Sequence, residues 1–444
     1  MASTLETLPV ELIEIIVKLL NFQDIASLRR TSRAIESKAS HASFARRFSR
    51  KNFKLETKTL EKLARLSNES YSTSRLQHCT IIGIVGLEEA ASESQLNEHT
   101  RLLTVIFRNL KKNIQAGSIA SLCLRVLLRI TRRTTHMWPE TWATARRTFE
   151  ITMAALSESS LCVDEHLDLF GSVPSCSLEY TAFLGLAQRP GCPASIFKHL
   201  KRLTLSLSSP VVDNMDTQYL LPTPALDAVS QSEHVASALE TILHMSAIMP
   251  ELESLDIHWF NIGRNPLNSS VQPPVHRDIT TCSSPFALKD CTLRGLYISG
   301  INLLHFIMAT KPKVLRLKDI NLVTGTYAPS FRYMTLPESP TTHCQFEELH
   351  QGRYIVHFNM PEKSEESGES ATKIGSTTFS RQIIGLEQEG IAHRLRLVLH
   401  PRAKEYARWR QHMLPEYGPP VSRSVAFIPQ HGRHIDIEIG ARLS

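Results

Sequence analysis

The chain is 444 residues long and has no apolar run approaching 18 residues, so no membrane-spanning helix is expected. Its opening decapeptide, MASTLETLPV, has neither a basic n-region nor an uninterrupted apolar h-region, which argues against a secretory signal. The eight cysteines (79, 123, 162, 176, 192, 282, 291 and 344) are scattered and never form C-x-x-C. They are expected to be reduced thiols in a cytoplasmic and/or nuclear protein. By the same logic the glycosylation sequons at Asn68 and Asn268 are expected to be accidental.

Catalytic signatures are also missing. There is no G-x-x-x-x-G-K-[ST], no G-x-G-x-x-G after a strand, no G-x-S-x-G and no H-E-x-x-H. Asp164, Glu165 and His166 are adjacent, but on a helix neighbours point in different directions and form no constellation. His431 and His434 lack a second ligand pair at zinc-site spacing. No catalytic residue, cofactor or metal site is assigned, and a non-enzyme is expected.

What is present belongs to a globular protein. With 42% hydrophobic and 21% charged residues, the chain has enough material for two or three domains. The net charge is +7, and part of it is concentrated: Arg29 to Arg65 holds twelve Lys/Arg against Glu36, Glu56 and Glu61. Such a block suits a solvated surface, an acidic protein partner or nucleic acid. Phe44 and Phe48 within it are four apart, a core-like helical spacing that does not suggest a base-stacking platform.

The stretch LPVELIEIIVKLLNFQDIASLRRTSR (8–33) is the most informative. Pro9 suits the first turn of a helix, where its missing N–H costs nothing. With residues about 100° apart, Leu12, Ile15, Leu19, Ile16, Leu20, Ile13 and Val17 cover an arc of about 200°, twice one core-facing stripe. Asp24 is the expected N-cap of a second helix with Ile25, Leu28 and Ile35 on one stripe. A third helical stretch is expected in HASFARRFSRKNF (41–53). Three short helices bury little surface alone, so the surplus apolar face suggests docking, unless later parts of the chain cover it.

Leu8-Pro9, Glu11-Leu12, Ile15, Ile16, Leu19, Leu20, Asp24-Ile25, Leu28-Arg29 and Thr31-Ser32-Arg33 together resemble an F-box. Ile25 stands where that family usually has Leu, a near-isosteric change. The resemblance implies that this motif binds the Skp adaptor, and through it cullin, in a Skp–cullin–F-box ubiquitin ligase. The rest of the chain would select a protein substrate for degradation. The implied adaptor-binding residues are Leu8, Pro9, Leu12, Ile15, Ile16, Leu19, Leu20, Ile25 and Leu28.

Further on, LQHCTI (76–81), LKRLTL (200–205), LESLDI (252–257) and LRGLYI (293–298) share L-x-x-[LC]-x-[LI], and PKVLRL (312–317) keeps its last two apolar positions. This is the strand signature of leucine-rich repeats. Helix-like stretches lie between, in PETWATARRTFEITMAAL, SEHVASALETILHMSAIMP and GINLLHFIMATKP. Leu203, Leu255, Leu296 and Leu315 follow at 52, 41 and 19 residues, against about 20–29 in regular arrays, and the usual Asn or Cys after the strand is missing. VLRLKDINLVTGTY (314–327), through Leu315, Leu317, Leu322, Gly325 and Tyr327, also resembles a recurring stretch of fungal F-box proteins with irregular leucine-rich repeats.

The fold class expected is therefore α/β, with a three-helix F-box (1–53) followed by an irregular leucine-rich-repeat-like α/β solenoid. The solenoid is expected over 54–345 as the substrate-recognition region. A C-terminal extension (346–444) would hold an acidic loop at 361–376, strands in HRLRLVLH and HIDIEIG, and a helix in PRAKEYARWRQHML. Residues 261–285 are expected to be an insertion. Three other functions are weighed: an F-box scaffold without ubiquitylation, a basic nucleic-acid binder, and an enzyme of unrecognised type.

Overall fold

The computed structural model describes residues 5–40, 49–68, 75–85, 93–128, 138–173, 176–188, 195–209, 228–260, 287–334, 336, 339–352, 354–358, 378–382, 395–401 and 435–439. The chain is mixed α/β. Three short helices come first: α1 (Val10–Leu19), α2 (Phe22–Arg29) and α3 (Arg33–Ala39). Pro9, at φ −56°, stands immediately before α1, where nothing requires an N–H.

The links between these helices differ from expectation. Asn21, three residues before Asp24, caps α2: its side-chain oxygen accepts from the Asp24 N–H at 2.9 Å, leaving Asp24 inside the first turn. Ile35 is not on α2, because Ser32 opens a separate helix by accepting from the Ile35 N–H at 3.2 Å. The helix expected from residue 41 gives way by Arg50 to a strand, β1 (Arg50–Lys54). Phe44, Phe48 and the rest of 41–48 lie outside the described residues.

Beyond the bundle, β1 begins a sheet with β2 (His78–Val85), β3 (Ser118–Leu128), β4 (Cys162–Leu169), β6 (Arg202–Ser208), β7 (Ser254–Phe260), β8 (Asp290–Arg294), β10 (Val314–Lys318) and β12 (His343–Glu347). These strands lie side by side in chain order and pair in parallel; β5 (Leu178–Glu179) also pairs with β6. Parallel neighbours need long crossovers, which helices supply. These include α4 (Thr57–Ser67), α5 (Glu93–Asn113), α6 (Trp138–Ser159), α7 (Tyr180–Gln188), α8 (Ala228–His244), α9 (Gly300–Thr310) and α10 (Ala328–Met334). A second sheet joins the two-residue strands β9 (Tyr297–Ile298), β11 (Asn321–Leu322) and β13 (His350–Gln351) to β14 (Tyr354–Phe358), β16 (Leu395–Pro401) and β17 (Ile435–Ile439). On the main sheet β15 (Thr378–Gln382) pairs antiparallel with β12.

The register explains the leucine pattern and corrects its frame. Cys79, Leu122, Leu167, Leu203, Leu255, Cys291, Leu315 and Cys344 form one row across the sheet. Two residues on, Ile81, Leu124, Leu169, Leu205, Ile257, Leu293, Leu317 and Phe346 form the next. Every member of both rows is buried. The unit in β8 is therefore LKDCTL (288–293), while LRGLYI straddles a corner at Gly295. IASLCL (119–124), DEHLDL (164–169) and THCQF (342–346) supply rungs that the leucine pattern passed over. In this frame Leu255, Cys291, Leu315 and Cys344 follow at 36, 24 and 29 residues.

The same frame accounts for the missing Asn or Cys. Gly295, Asp319 and Glu348 occupy one corner in successive units, at φ 72°, 49° and 55°. The next residues, Leu296, Ile320 and Leu349, turn inward and are buried where a polar residue was sought. Two expected domain divisions fall inside strands: β1 crosses 53/54 and β12 crosses 345/346, both hydrogen-bonded into the main sheet. The large core runs from Phe53 to Phe358, and the bundle has a separate core of its own. The expected loops at 261–285 and 361–376 and the helix in 401–414 lie outside the described residues, apart from Pro401 at the end of β16.

Candidate functional site

Among the described residues the bundle core consists of Ile13, Val17, Ile25, Ile35 and Ala39, with Leu8, Ile16, Leu20 and Leu28 packed against it. It is braced by polar contacts at its ends. Lys38 Nζ donates to the carbonyls of Glu6 (2.7 Å) and Leu8 (2.8 Å), and Arg29 pairs with Glu36 at 3.2 Å.

Only part of the broad apolar arc of α1 faces inward. Ile13 and Val17 are buried and Ile16 is half-buried, whereas Leu12, Ile15 and Leu19 are 46%, 51% and 83% exposed. The helix therefore has two apolar sides, one filled by its own bundle and one open. Pro9 is also exposed; Leu8, Leu20 and Leu28 are half-buried. Ile25 is completely buried, so it supports the open face from behind and does not form it. Leu5, in the turn Leu5–Thr7 before α1, is 43% exposed and extends the apolar material beyond the expected set. Its spacing of three residues from Leu8 was the available signal.

The described residues of the basic block are spread over several elements. Arg29, Arg30, Arg33 and Lys38 belong to the bundle, Arg50, Lys51 and Lys54 to β1, and Lys58, Lys62 and Arg65 to α4. Arg29 and Lys38 are already engaged with the bundle itself.

Other chemical candidates lead nowhere catalytic among the described residues. Asp164, Glu165 and His166 lie on a strand, not a helix. Ser118 donates to Asp164, Glu165 is exposed, and His166 lies 3.1 Å from the Thr204 hydroxyl. Cys123 donates to Asp168 at 3.3 Å, and burial together with that carboxylate pushes its thiol up, away from the reactive thiolate. No group of three or more His, Cys, Asp or Glu is arranged to hold a metal among the described residues. Nor is any described helix long and apolar enough to cross a membrane. His431 and His434 lie outside the described residues.

Residues 5–46 match the family model of the F-box domain. The bundle is an F-box. The match covers about a tenth of the chain, and comparison with curated proteins found no match. F-box proteins are in general non-catalytic adaptor subunits of ubiquitin ligases, and the F-box implies binding to the Skp adaptor. The geometry suits that role. An F-box helix with one side packed and Leu12, Ile15 and Leu19 open offers apolar area whose burial stabilises a complex, and it brings no reacting group.

Proposed function

We propose that this chain is the substrate-recognition subunit of a Skp–cullin–F-box ubiquitin ligase. The observation that carries the reading is the open aliphatic face of α1: Leu12, Ile15 and Leu19 stay exposed although the opposite side of the helix is filled. The Skp adaptor covers that face and links the chain to cullin. A protein substrate held elsewhere on the chain is thereby presented for ubiquitylation and degradation. The chain supplies position alone, raising the effective concentration of the substrate near the ubiquitin-carrying end of the ligase.

We read the region beyond the F-box as an irregular leucine-rich-repeat-like solenoid. Parallel strands in chain order, two continuous buried rows and the 24- and 29-residue steps between Cys291, Leu315 and Cys344 support this reading. Those two steps fall in the range of about 20–29 residues usual for such repeats, and the longer ones reflect insertions. The open face of the sheet is then the substrate surface. The free thiols of the described cysteines fit a cytoplasmic or nuclear protein.

The test is co-purification of the full chain with the Skp adaptor, beside Leu19→Asp. Leu19 suits this better than half-buried Ile16, where a carboxylate would enter the bundle core. Binding by the parent and loss in a folded variant are expected. A parent that fails to bind overturns the ligase reading. A reconstituted ubiquitylation reaction then separates substrate delivery from a scaffold role: transfer to a captured protein should require this chain.

A further inference from the structure

The main sheet buries alternate residues of its strands against its helices, and the others lie on a second face, which is closed at Asp168, Ser206 and Ser208 and open over most of the remaining strand positions. Charge is distributed unevenly across that face. Towards the C-terminal strands the charges cancel locally: Arg294 bonds Asp256 at 3.0 and 3.1 Å, Arg316 bonds Asp290 at 3.0 Å, and Lys318 pairs with Glu347 at 3.2 Å. Towards the N-terminal strands they do not cancel. Arg50, Lys54, Arg125 and Arg202 are all exposed on the open face, and none forms an ion pair among the described residues.

The register fixes their spacing. Arg50, His78, Ser121, His166 and Arg202 are successive partners across five strands, which places the backbone positions of the two arginines about 19 Å apart. Lys54, Ile82 and Arg125 form a second row four residues further along, with Lys54 and Arg125 rising from backbone positions about 10 Å apart. Between the rows lies a floor of short side chains, Asn52, Thr80, Cys123 and Thr204. Among the described residues three carboxylates of β4 answer the four cations: Asp164, which accepts from Ser118, exposed Glu165, whose field reaches His78, and Asp168, buried and already bonded by the Gly171 N–H and the Cys123 thiol. His78 and His166 add no full charge at neutral pH, since burial and the neighbouring arginines hold both below the ordinary imidazole value.

We infer that the N-terminal half of this open face captures an extended, carboxylate-rich segment of the substrate protein. The inference rests on the reading of this region as the substrate-recognition surface. A single phosphate needs two or three cations converging on one point. Here the cations rise from backbone positions about 10 Å or more apart, and carboxylates three residues apart on an extended polyproline II chain share one side and repeat at about 9 Å. The spacing therefore favours several carboxylates over one phosphate.

The test uses the full chain and a fluorescein-labelled Gly/Ser peptide with Glu at every third position, followed by fluorescence anisotropy. Binding should weaken as NaCl is raised and fall by about tenfold or more for the Gln analogue. Lys54→Glu with Arg125→Glu should cost about tenfold. Lys58→Glu with Lys62→Glu, the same charge change on α4, should stay within about twofold. Lys54→Gln with Arg125→Gln, expected to lose less, guards against a folding defect in the reversal. Equal binding of the Glu and Gln peptides, or equal loss from the α4 control, overturns the inference. So does binding more than about tenfold tighter to a singly phosphorylated peptide or a single-stranded oligonucleotide. Adaptor co-purification is read in parallel. Lost peptide binding with the adaptor retained refutes this inference alone, while lost adaptor binding with the peptide retained refutes the ligase reading alone.

Discussion

Leu19 gives the most direct quantitative test of the docking face. Its side chain is 83% exposed in the free chain, so it contributes little to folding and has most of its apolar surface left to bury. Full burial of a leucine stabilises by about 1.5–3 kcal/mol, and the exposed share is about 1.2–2.5 kcal/mol. Alanine keeps the Cβ, so Leu19→Ala should cost about 1–2 kcal/mol of adaptor binding, or about 5- to 30-fold in Kd. Stability should change by less than about 0.5 kcal/mol, as at other open surface positions. Ile25→Ala is the contrast: its side chain is fully buried in the bundle, so truncation should cost about 2–5 kcal/mol of F-box stability. Titration calorimetry with the Skp adaptor and circular dichroism melts separate the two effects. If Leu19→Ala leaves Kd unchanged, the adaptor does not cover this face. If it destabilises the free chain like Ile25→Ala, the face is covered by the chain itself and the reasoning fails.

Three further predictions concern the parallel sheet. Gly295 has φ +72°, and a Cβ there would lie 2.4 Å from the Trp259 carbonyl oxygen, so Gly295→Ala should destabilise by about 2 kcal/mol or more in a chemical denaturation series. The single Tyr327 O–H donates to the Ile320 carbonyl (2.8 Å) with the His350 carbonyl sharing it at 3.2 Å, and Tyr327→Phe should cost about 1–2 kcal/mol in the same assay. His78, His166 and His234 are all held below the ordinary imidazole value, chiefly by burial. The unfolded chain therefore takes up their protons first as pH falls, so their contribution is full above about pH 6.5 and is lost as pH drops through the folded values. Tm should fall from about pH 7.5 to 5.5, and His166→Asn should flatten part of that slope.

Much of the F-box was legible because helical periodicity leaves a strong mark. The arc on α1 was wide enough to imply two faces, and the structure divides it between Ile13 and Val17 inside and Leu12, Ile15 and Leu19 outside. Which residue belonged to which side was not legible, since Ile25 and Leu12 are equally apolar and only packing separates them. The caps were misplaced because Asn21 and Asp24 are both good capping residues, and the choice depends on where the preceding turn ends. In the sheet, leucine was too narrow a marker. Cys291 and Cys344 fill rungs as well as Leu315 does, because each rung needs only a compact apolar side chain. The polar DEH hid the rung at Leu167, where the open face of a one-sided sheet carries the charges. The surplus of cations on that face was illegible for the same reason: Arg50, Arg125 and Arg202 are far apart in sequence and meet only through the register.

The two cores share no residue, and this bears on how such a chain changes over time. A substitution on the open face of the sheet replaces a side chain that contributes little to either core, so the chemistry of that surface can vary at small cost in stability. The F-box has no such freedom. Among the described residues its core has five fully buried side chains, and Ile13 and Val17 share one helix with the exposed Leu12, Ile15 and Leu19, so most changes there disturb folding, docking or both. On the proposed ligase reading, one rigid contact and one adjustable surface on the same chain is the division of labour that substrate presentation requires. It follows that reversing Lys54 and Arg125 should change what is captured without changing the affinity for the adaptor, and that truncating Leu19 should do the opposite.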